Sequence, residues 1–254
     1  MTTTAPLDGR VAIITGASRG LGRGLAIGIA AAGASVVVAA RDLAACELVA
    51  AEISGAGGSA IAVKCDVTRP ADREALVAAT MERYGRLDVL VNNAGLLKPH
   101  VTTRVSEDEL DELIAVNVKG PIFLTTAALD HLAADGGGSV INVSALGAYQ
   151  PMEGIGAYQA TKAAMVNWTT TMAREWAALG VRVNLLVPGP VATDMILPKD
   201  PARREEFVAE MAAETAIGRL GEPEDLVGAA VFLAGPDSAF MTGRAVFIDG
   251  GMLR

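Results

Sequence analysis

Tyr158 and Lys162 stand four residues apart, a spacing that puts both on one face of a helix. A free phenol titrates at about 10 and is a poor base at neutral pH, but a neighbouring ammonium, helped by a second positive charge such as an oxidised cofactor ring carries, favours the phenolate and draws that value down. A phenol so tuned gives a proton to a developing alkoxide or takes one from an alcohol. Taken alone, such a pair is an ordinary feature of a helix surface. Ser144 adds to it: the residue closes an apolar, β-type run, and its hydroxyl can hold a substrate oxygen and stabilise charge building there. A serine can also simply end a strand. Asn117 interrupts an otherwise helical stretch, Leu110–Thr126, where its local backbone cost implies a purpose.

A second cluster is suited to phosphate. Thr15-Gly16-Ala17-Ser18-Arg19-Gly20-Leu21-Gly22 follows the first predicted strand directly, and a helix starts within it. Glycines let the backbone turn sharply and approach a pyrophosphate, which then meets free N–H groups at the positive end of the helix. The spacing, G-x-x-x-G-x-G, differs from the G-x-G-x-x-G of many dinucleotide binders. The second predicted strand ends at Ala39-Ala40-Arg41-Asp42. An acidic residue at that tip would take the adenosine ribose 2′-hydroxyl and favour NAD(H), whereas arginine accommodates a 2′-phosphate. Ala40 at the tip, Arg41 after it and Arg19 in the glycine loop therefore point to NADP(H) over NAD(H). Asp42 can cap the next helix or compete for the ribose.

These residues need a scaffold of alternating strands and helices. Seven short apolar runs are predicted strands: Val11–Thr15, Ser35–Ala40, Ala60–Lys64, Leu87–Val91, Ser139–Val143, Val181–Val187 and Ala245–Ile248. Runs apolar on both faces suit a parallel sheet covered on both sides. Helices are expected over about Gly20–Ala32, Leu43–Ser54, Ala71–Tyr84, Glu107–Ala134, Ala157–Leu179 and Glu222–Ala234. Thr68-Arg-Pro70 opens the third, Gly33, Gly85 and Gly180 follow helix ends, and Ser106-Glu-Asp-Glu109 reads as a capping box. The expectation is a single α/β domain over residues 1–254, a Rossmann fold whose doubly wound seven-stranded parallel sheet carries helices on both faces. Residues 188–217, rich in Pro, Met and charge, follow the sixth strand and would overhang a ligand as a lid.

With these pieces in order, the chain resembles the short-chain dehydrogenase/reductase family along nearly its whole length. The markers are Thr15–Gly22, Asp66-Val67, Asn92-Asn-Ala-Gly95, Asn117, Ser144, Tyr158-Gln-Ala-Thr-Lys162, and Pro188-Gly189 with Thr193. The resemblance implies hydride transfer between a nicotinamide dinucleotide and a carbonyl or secondary alcohol, in the ketone-reducing direction. Tyr158 is then the acid/base, Ser144 holds the carbonyl, Lys162 also meets the nicotinamide ribose, and Asn117 holds a relay water. It implies a dinucleotide site built from Gly16, Ser18, Arg19, Gly20, Leu21, Gly22, Arg41, Asp66, Val67, Asn93, Ala94, Gly95, Tyr158, Lys162, Pro188, Gly189, Val191 and Thr193. The interval from Ser144 to Tyr158 is about one residue longer than the commonest spacing of that family, the excess falling in Gly147–Gly156. Pairing of the two long central helices in a homotetramer or homodimer is a further implication.

Composition narrows the partners. The chain has 254 residues, 51% of them hydrophobic and 4% aromatic, so its core must be Ala, Val, Leu and Ile. A net charge of −8 with scattered Lys and Arg argues against nucleic acid and against an anionic membrane. Cys46 and Cys65 lie in no metal or disulfide pattern, and nothing after Met1 reads as a signal peptide, so a cytoplasmic protein is expected. His100 and His131 fall in no ligand motif, and no metal is expected. The residues expected to face a substrate are Leu96, Leu97, Ala145, Tyr149, Pro151, Met152, Met195, Ile196 and Phe207, which suit a hydrophobic ketone. The chain also resembles β-ketoacyl-carrier-protein reductases closely, and that resemblance implies docking of an acidic carrier through basic residues before the fifth strand. An acidic carrier would need basic residues in Ala127–Gly138, which offers Asp130, Asp135 and only His131. An NAD(H)-dependent sugar or polyol dehydrogenase and a non-catalytic dinucleotide sensor are the other readings.

Overall fold

In the computed structural model, which describes residues 5–252, seven parallel strands form one sheet in the order β3-β2-β1-β4-β5-β6-β7. They are β1 Val11–Thr15, β2 Ser35–Ala40, β3 Ser59–Lys64, β4 Val89–Asn92, β5 Ser139–Val143, β6 Arg182–Pro188 and β7 Ala245–Ile248. The helices are α1 Gly20–Ala31, α2 Leu43–Gly55, α3 Pro70–Tyr84, α4 Glu107–Ile114, α5 Gly120–Leu132, α6 Gly156–Trp176, α7 Pro201–Glu214 and α8 Val227–Ala234. This is the doubly wound fold expected. The central strands are buried along their length because helices cover both faces, which explains their unbroken apolar runs. Two apolar layers result. Ile14, Leu25, Val38 and Leu233 pack on one face of the sheet. Ile13, Leu90, Leu124 and Met172 pack on the other.

Strand order reverses between β1 and β4, where Ile13 pairs with Leu90 and Ile14 with Val91. Connections leaving the two strands in opposite directions open a crevice at their carboxyl ends. Below that crevice the strands start from one clamp. The buried Asp88 carboxylate accepts the Val11 N–H at 2.9 Å and both arms of Arg86 at 2.8 and 2.6 Å.

Several boundaries differ from expectation. The predicted single helix Glu107–Ala134 is two helices, α4 and α5, joined by a π-helical turn over Ala115–Lys119. Pro121 is the cause: it has no N–H for the carbonyl four residues back, so the regular ladder cannot run through. The capping box at Ser106 and Glu109 opens α4 as expected. By length and composition the stretch Glu107–Leu132 could cross a membrane, yet it packs on α3, α6 and the sheet. The fourth and sixth strands sit one or two residues later than expected, at Val89–Asn92 and Arg182–Pro188. Within residues 188–217, read as irregular, Asp200 caps and Pro201 opens α7, a helix with no buried residue. Cys46 and Cys65 are free and buried. Gly250-Gly-Met-Leu-Arg254 is short and partly apolar and reads from the sequence as a buried or subunit-contacting tail; Met252 packs with Leu146, Leu185 and Val187, and Leu253 and Arg254 lie outside the described residues.

Candidate active site

The glycine loop is fastened to the end of β4. Thr15 Oγ1 accepts the N–H groups of Asn93 and Ala94, each at 3.1 Å, and donates to the Val91 carbonyl. Asn93 Nδ2 in turn donates to the carbonyls of Thr15 (2.9 Å) and Gly16 (3.2 Å). This closeness requires glycine at two positions. Gly16 has a φ of +64°, and a Cβ there would lie 2.8 Å from Ala94 Cα. A Cβ on Gly22 would lie 2.3 Å from the Gly16 carbonyl oxygen. Gly20 meets Thr193 beyond β6, which a Cβ would approach to 3.4 Å, so the two loops flank one cleft.

That cleft fits a pyrophosphate on an observation independent of any ligand. The N-terminus of α1 has no side-chain cap and no acidic residue in its first turn. The helical ladder begins with Arg23 N–H bonding the Arg19 carbonyl, so the amides of Gly20, Leu21 and Gly22 lack helical acceptors. At the tip of β2, Asp42 is committed elsewhere: its carboxylate caps α2 by accepting Ala45 N–H at 3.1 Å. Arg41 is exposed and close enough to Asp66 to act on its charge. Burial pushes the Asp66 carboxyl up, but hydrogen bonds from Thr68 and the charges of Arg41 and Arg69 outweigh it and hold Asp66 below its ordinary range.

The catalytic candidates converge at the carboxyl ends of β4 and β5. Ser144, Tyr158, Lys162 and Asn117 are all buried. Lys162 Nζ lies 5.8 Å from the Tyr158 ring centre and donates to the Val143 carbonyl at 2.8 Å. Gly95 lines the same space, since a Cβ on it would stand 3.7 Å from Lys162 Nζ and 3.6 Å from Asn117 Oδ1. Asn117 sits in the π turn, where its side chain accepts Leu96 N–H and donates to the Leu96 carbonyl, both at 2.8 Å. Pro121, four residues on, has no N–H to offer the Asn117 main-chain carbonyl.

Thr161 was not singled out from the sequence, although it lies inside the Tyr158–Lys162 motif. It accepts from Asn117 Nδ2 at 3.0 Å and donates to the Tyr158 carbonyl at 2.6 Å, tying the π turn to α6. Of the residues expected to face a substrate, Leu96 and Leu97 are half-buried beside the site, and Met195 is exposed. Tyr149 stacks edge-on against Phe247 at 4.9 Å, and Met152 packs on the cluster holding Met252, so both also brace the chain end. Among the described residues, no group of three or more His, Cys, Asp or Glu is placed to hold a metal.

The protein's own electrostatics set burial against charge at this pair. Burial, not the Lys162 charge, dominates Tyr158 and pushes the phenol above its ordinary range. Burial likewise pushes the Lys162 ammonium down to about 8. The ammonium alone, hydrogen-bonded to Val143, does not lower the phenol.

Comparison with known proteins agrees with this geometry. A family profile described as Enoyl-(Acyl carrier protein) reductase matches residues 16–253. An L-rhamnose 1-dehydrogenase (NAD(P)(+)) from Sphingomonas sp. is 38% identical, covering 97% of each chain. A 3-oxoacyl-[acyl-carrier-protein] reductase from Synechocystis sp. is 35% identical over 97% of this chain and 98% of its own. The chain belongs to the short-chain dehydrogenase/reductase family. Its fold superposes with a TM-score of 0.91 on a gluconate 5-dehydrogenase from Burkholderia cenocepacia, solved in complex with NADP and tartrate. The two share 34% identity over 98% of this chain and 97% of that one. As a member, this reductase-family chain is an oxidoreductase that binds a nicotinamide dinucleotide.

The buried pair yields a pH test. The folded value for Lys162, about 8, lies below the ordinary 10.5, so between them the unfolded chain holds more protons. Stability therefore rises with pH across that interval, the burial penalty being fully present below about 8. Tyr158, raised, opposes this only above its ordinary 10.0. Without added dinucleotide, Lys162→Met should melt higher than the wild type at neutral pH, with the gap narrowing between pH 8 and 10. A gap independent of pH in thermal melts would rule out a buried, depressed ammonium.

Proposed function

We propose that this short-chain dehydrogenase/reductase is an NADP(H)-dependent reductase of hydrophobic ketones, working chiefly from ketone to secondary alcohol. The observation that carries the reading is the burial of Tyr158 and Lys162 together, beside Ser144, at the crevice where the sheet reverses. A phenol held above its ordinary range stays protonated at neutral pH and stands ready as a general acid, which supports the reducing direction. When bound, the dinucleotide supplies hydride to the carbonyl carbon, or takes it from the alcohol carbon. Ser144 would hold the carbonyl oxygen, Tyr158 would give that oxygen its proton, and Lys162 would orient the nicotinamide ribose. A water on the Asn117 carbonyl would return the proton to Tyr158.

NADP(H) is favoured by Arg19 and Arg41, and by the capping role of Asp42, which removes a rival for the ribose. Gly16, Ser18, Gly20, Leu21 and Gly22 would meet the pyrophosphate, Asp66 and Val67 the adenine, and Asn93, Ala94 and Gly95 the floor beneath it. Pro188, Gly189, Val191 and Thr193 would line the nicotinamide, with residues 188–217 as the substrate lid. An apolar substrate is supported by Leu96 and Leu97, and by Lys98, the adjacent cation, being paired with Glu112 and so withheld from a sugar acid. Free, buried cysteines suit a cytoplasmic protein. Phe123 on α5 and Trp168 on α6 are 52% and 43% exposed, which supports a homo-oligomer joined through these helices.

A carbonyl panel of hydrophobic ketones, ketoses, sugar acids and β-ketoacyl thioesters should give turnover with NADPH for the first class. Tyr158→Phe should lower kcat by about a hundred- to ten-thousandfold while NADPH still binds. Retained turnover would remove Tyr158 from its role, and a thioester preference would replace the ketone reading with the carrier-protein one. Replacing Arg19 and Arg41 together by Ala should weaken NADPH by about tenfold and NADH hardly at all. Equal losses would make the 2′-phosphate assignment wrong. Light scattering should find an oligomer that Trp168→Asp dissociates; a monomeric wild type contradicts the pairing.

A further inference from the structure

The sequence reading left Arg219 and Asp225 without a role, yet they form one of the best-aligned ion pairs in the molecule. Arg219 Nη1 and Nη2 donate to the two Asp225 oxygens at 2.6 and 2.9 Å. Nη1 also donates to the Leu220 carbonyl at 2.9 Å. The Asp225 carboxylate further accepts the Glu222 N–H at 2.8 Å, closing a ring of hydrogen bonds around residues 219–225. Bidentate pairing fixes direction as well as distance. It also holds Asp225 ionised, with its pKa pushed down to about 2 by the Arg219 guanidinium.

What this ring grips is the loop after β6. At its centre Gly221 donates to the Pro190 carbonyl (2.9 Å) and accepts the Ala192 N–H (2.8 Å), making a parallel bridge with Val191. The next residue but one beyond that bridge is Thr193, packed against Gly20 of the phosphate loop. On its other side the ring leans on α1: a Cβ on Gly24 would lie 2.6 Å from Pro223 Cβ, and one on Gly28 would lie 2.3 Å from Val227 Cγ1. The lid returns here too, for Thr215 Oγ1 at the end of α7 donates to the Arg219 carbonyl at 3.0 Å. A small cavity of about 150 Å³ lies behind the Gly189–Val191 segment, bounded by Arg219, Asp225 and Asp249. Without the ring, the segment has room to sink into it.

We infer that Arg219 and Asp225 are positioning residues for the nicotinamide end of the dinucleotide: their ion pair holds Gly221 against Pro190–Ala192 and so fixes the loop that the nicotinamide would rest on. The inference builds on the proposed function and assigns to neither residue a contact with the dinucleotide. It separates the two ends of the ligand, because the adenosine end would meet Arg41 after β2 and Asp66–Val67 after β3, neither of which the ring grips.

The test compares NADPH with adenosine 2′,5′-bisphosphate, which carries the adenosine end and no nicotinamide, as ligands of the full-length protein. Arg219→Met and Asp225→Asn are measured singly and together, the asparagine keeping an acceptor for the Glu222 N–H. Each should raise the Kd for NADPH by about fivefold, the size expected for a well-aligned surface pair, and leave the bisphosphate within about twofold. The double variant should be no worse than either single one, since both remove the same interaction. Arg219→Lys, which keeps the charge but not the fork, should recover part of the loss. Equal weakening of both ligands, no weakening of NADPH, or additive losses would overturn the positioning role. A wild type that bound neither NADPH nor NADH would overturn the functional reading beneath it, a result distinct from any of these.

Discussion

The Thr15 hydroxyl is the point on which the site depends. At the place where the sheet reverses direction, β1 and β4 run side by side and their continuations part, one into the glycine loop and the other toward Asn93–Gly95. Left to themselves, those two ends would carry unsatisfied backbone groups at the mouth of a crevice. Thr15 answers two of the Asn93–Ala94 amides with one oxygen, and Asn93 returns two bonds to the glycine loop. The glycine loop, proposed to meet phosphate, and the loop that leads to Leu96 and Asn117 are thereby tied into one piece. Substituting a larger residue at Gly16 or Gly22 would drive them apart, because the clearances are below ordinary contact.

From that piece the polar chain continues into the reaction chamber. Leu96 holds Asn117 by both ends of its amide, Asn117 holds Thr161, and Thr161 holds the carbonyl of Tyr158. The bonds of Thr161 are buried and those of Leu96 partly so, which makes each costly to leave unpaired. The consequence is that Tyr158 and Lys162 are delivered to a place water reaches poorly. Burial then sets their protonation: a phenol kept neutral and an ammonium weakened toward neutrality. Such a pair is poised rather than activated. A further positive charge nearby would be needed to favour the phenolate, which is the charge an oxidised nicotinamide brings.

Sequence patterns carried the strands and most helices because alternation and apolar runs are local properties. Val11–Thr15, Ser35–Ala40, Ser139–Val143 and Ala245–Ile248 are found at the predicted bounds. The helix break at Asn117 was legible only in part. The asparagine stood out, but Pro121, which has no N–H to offer its carbonyl, was absorbed into the apolar periodicity around it. Helix α7 was missed because it buries nothing and so shows no strong apolar stripe, although Asp200-Pro201 is a sound start signal. The weight of burial at Tyr158 was not legible for a different reason. Spacing reveals that a lysine is near, but burial depends on the whole fold, and here burial is the larger effect. The Arg219–Asp225 ring was invisible because nothing local says that a turn six residues wide will meet a loop thirty residues earlier.

The two halves of the cleft are built to different standards. The nucleotide half rests on central strands and on α1, all packed into the main apolar layer. The substrate half is loops and α7, whose side chains are at best half-buried, so it can open locally at small cost. Relatives that share the fold are named for L-rhamnose, gluconate and 3-oxoacyl-[acyl-carrier-protein], a spread that adaptable loops on a common scaffold permit. The proposed lid would create its own difficulty, since movement at Thr193 would be passed straight to the loop proposed to lie under the nicotinamide. Both ends of the lid meet the same short segment, residues 215–225, which is braced on α1 by Pro223 and Val227. Anchored there, the proposed lid would change shape for its substrate while the floor it hinges on stays in register with the glycine loop.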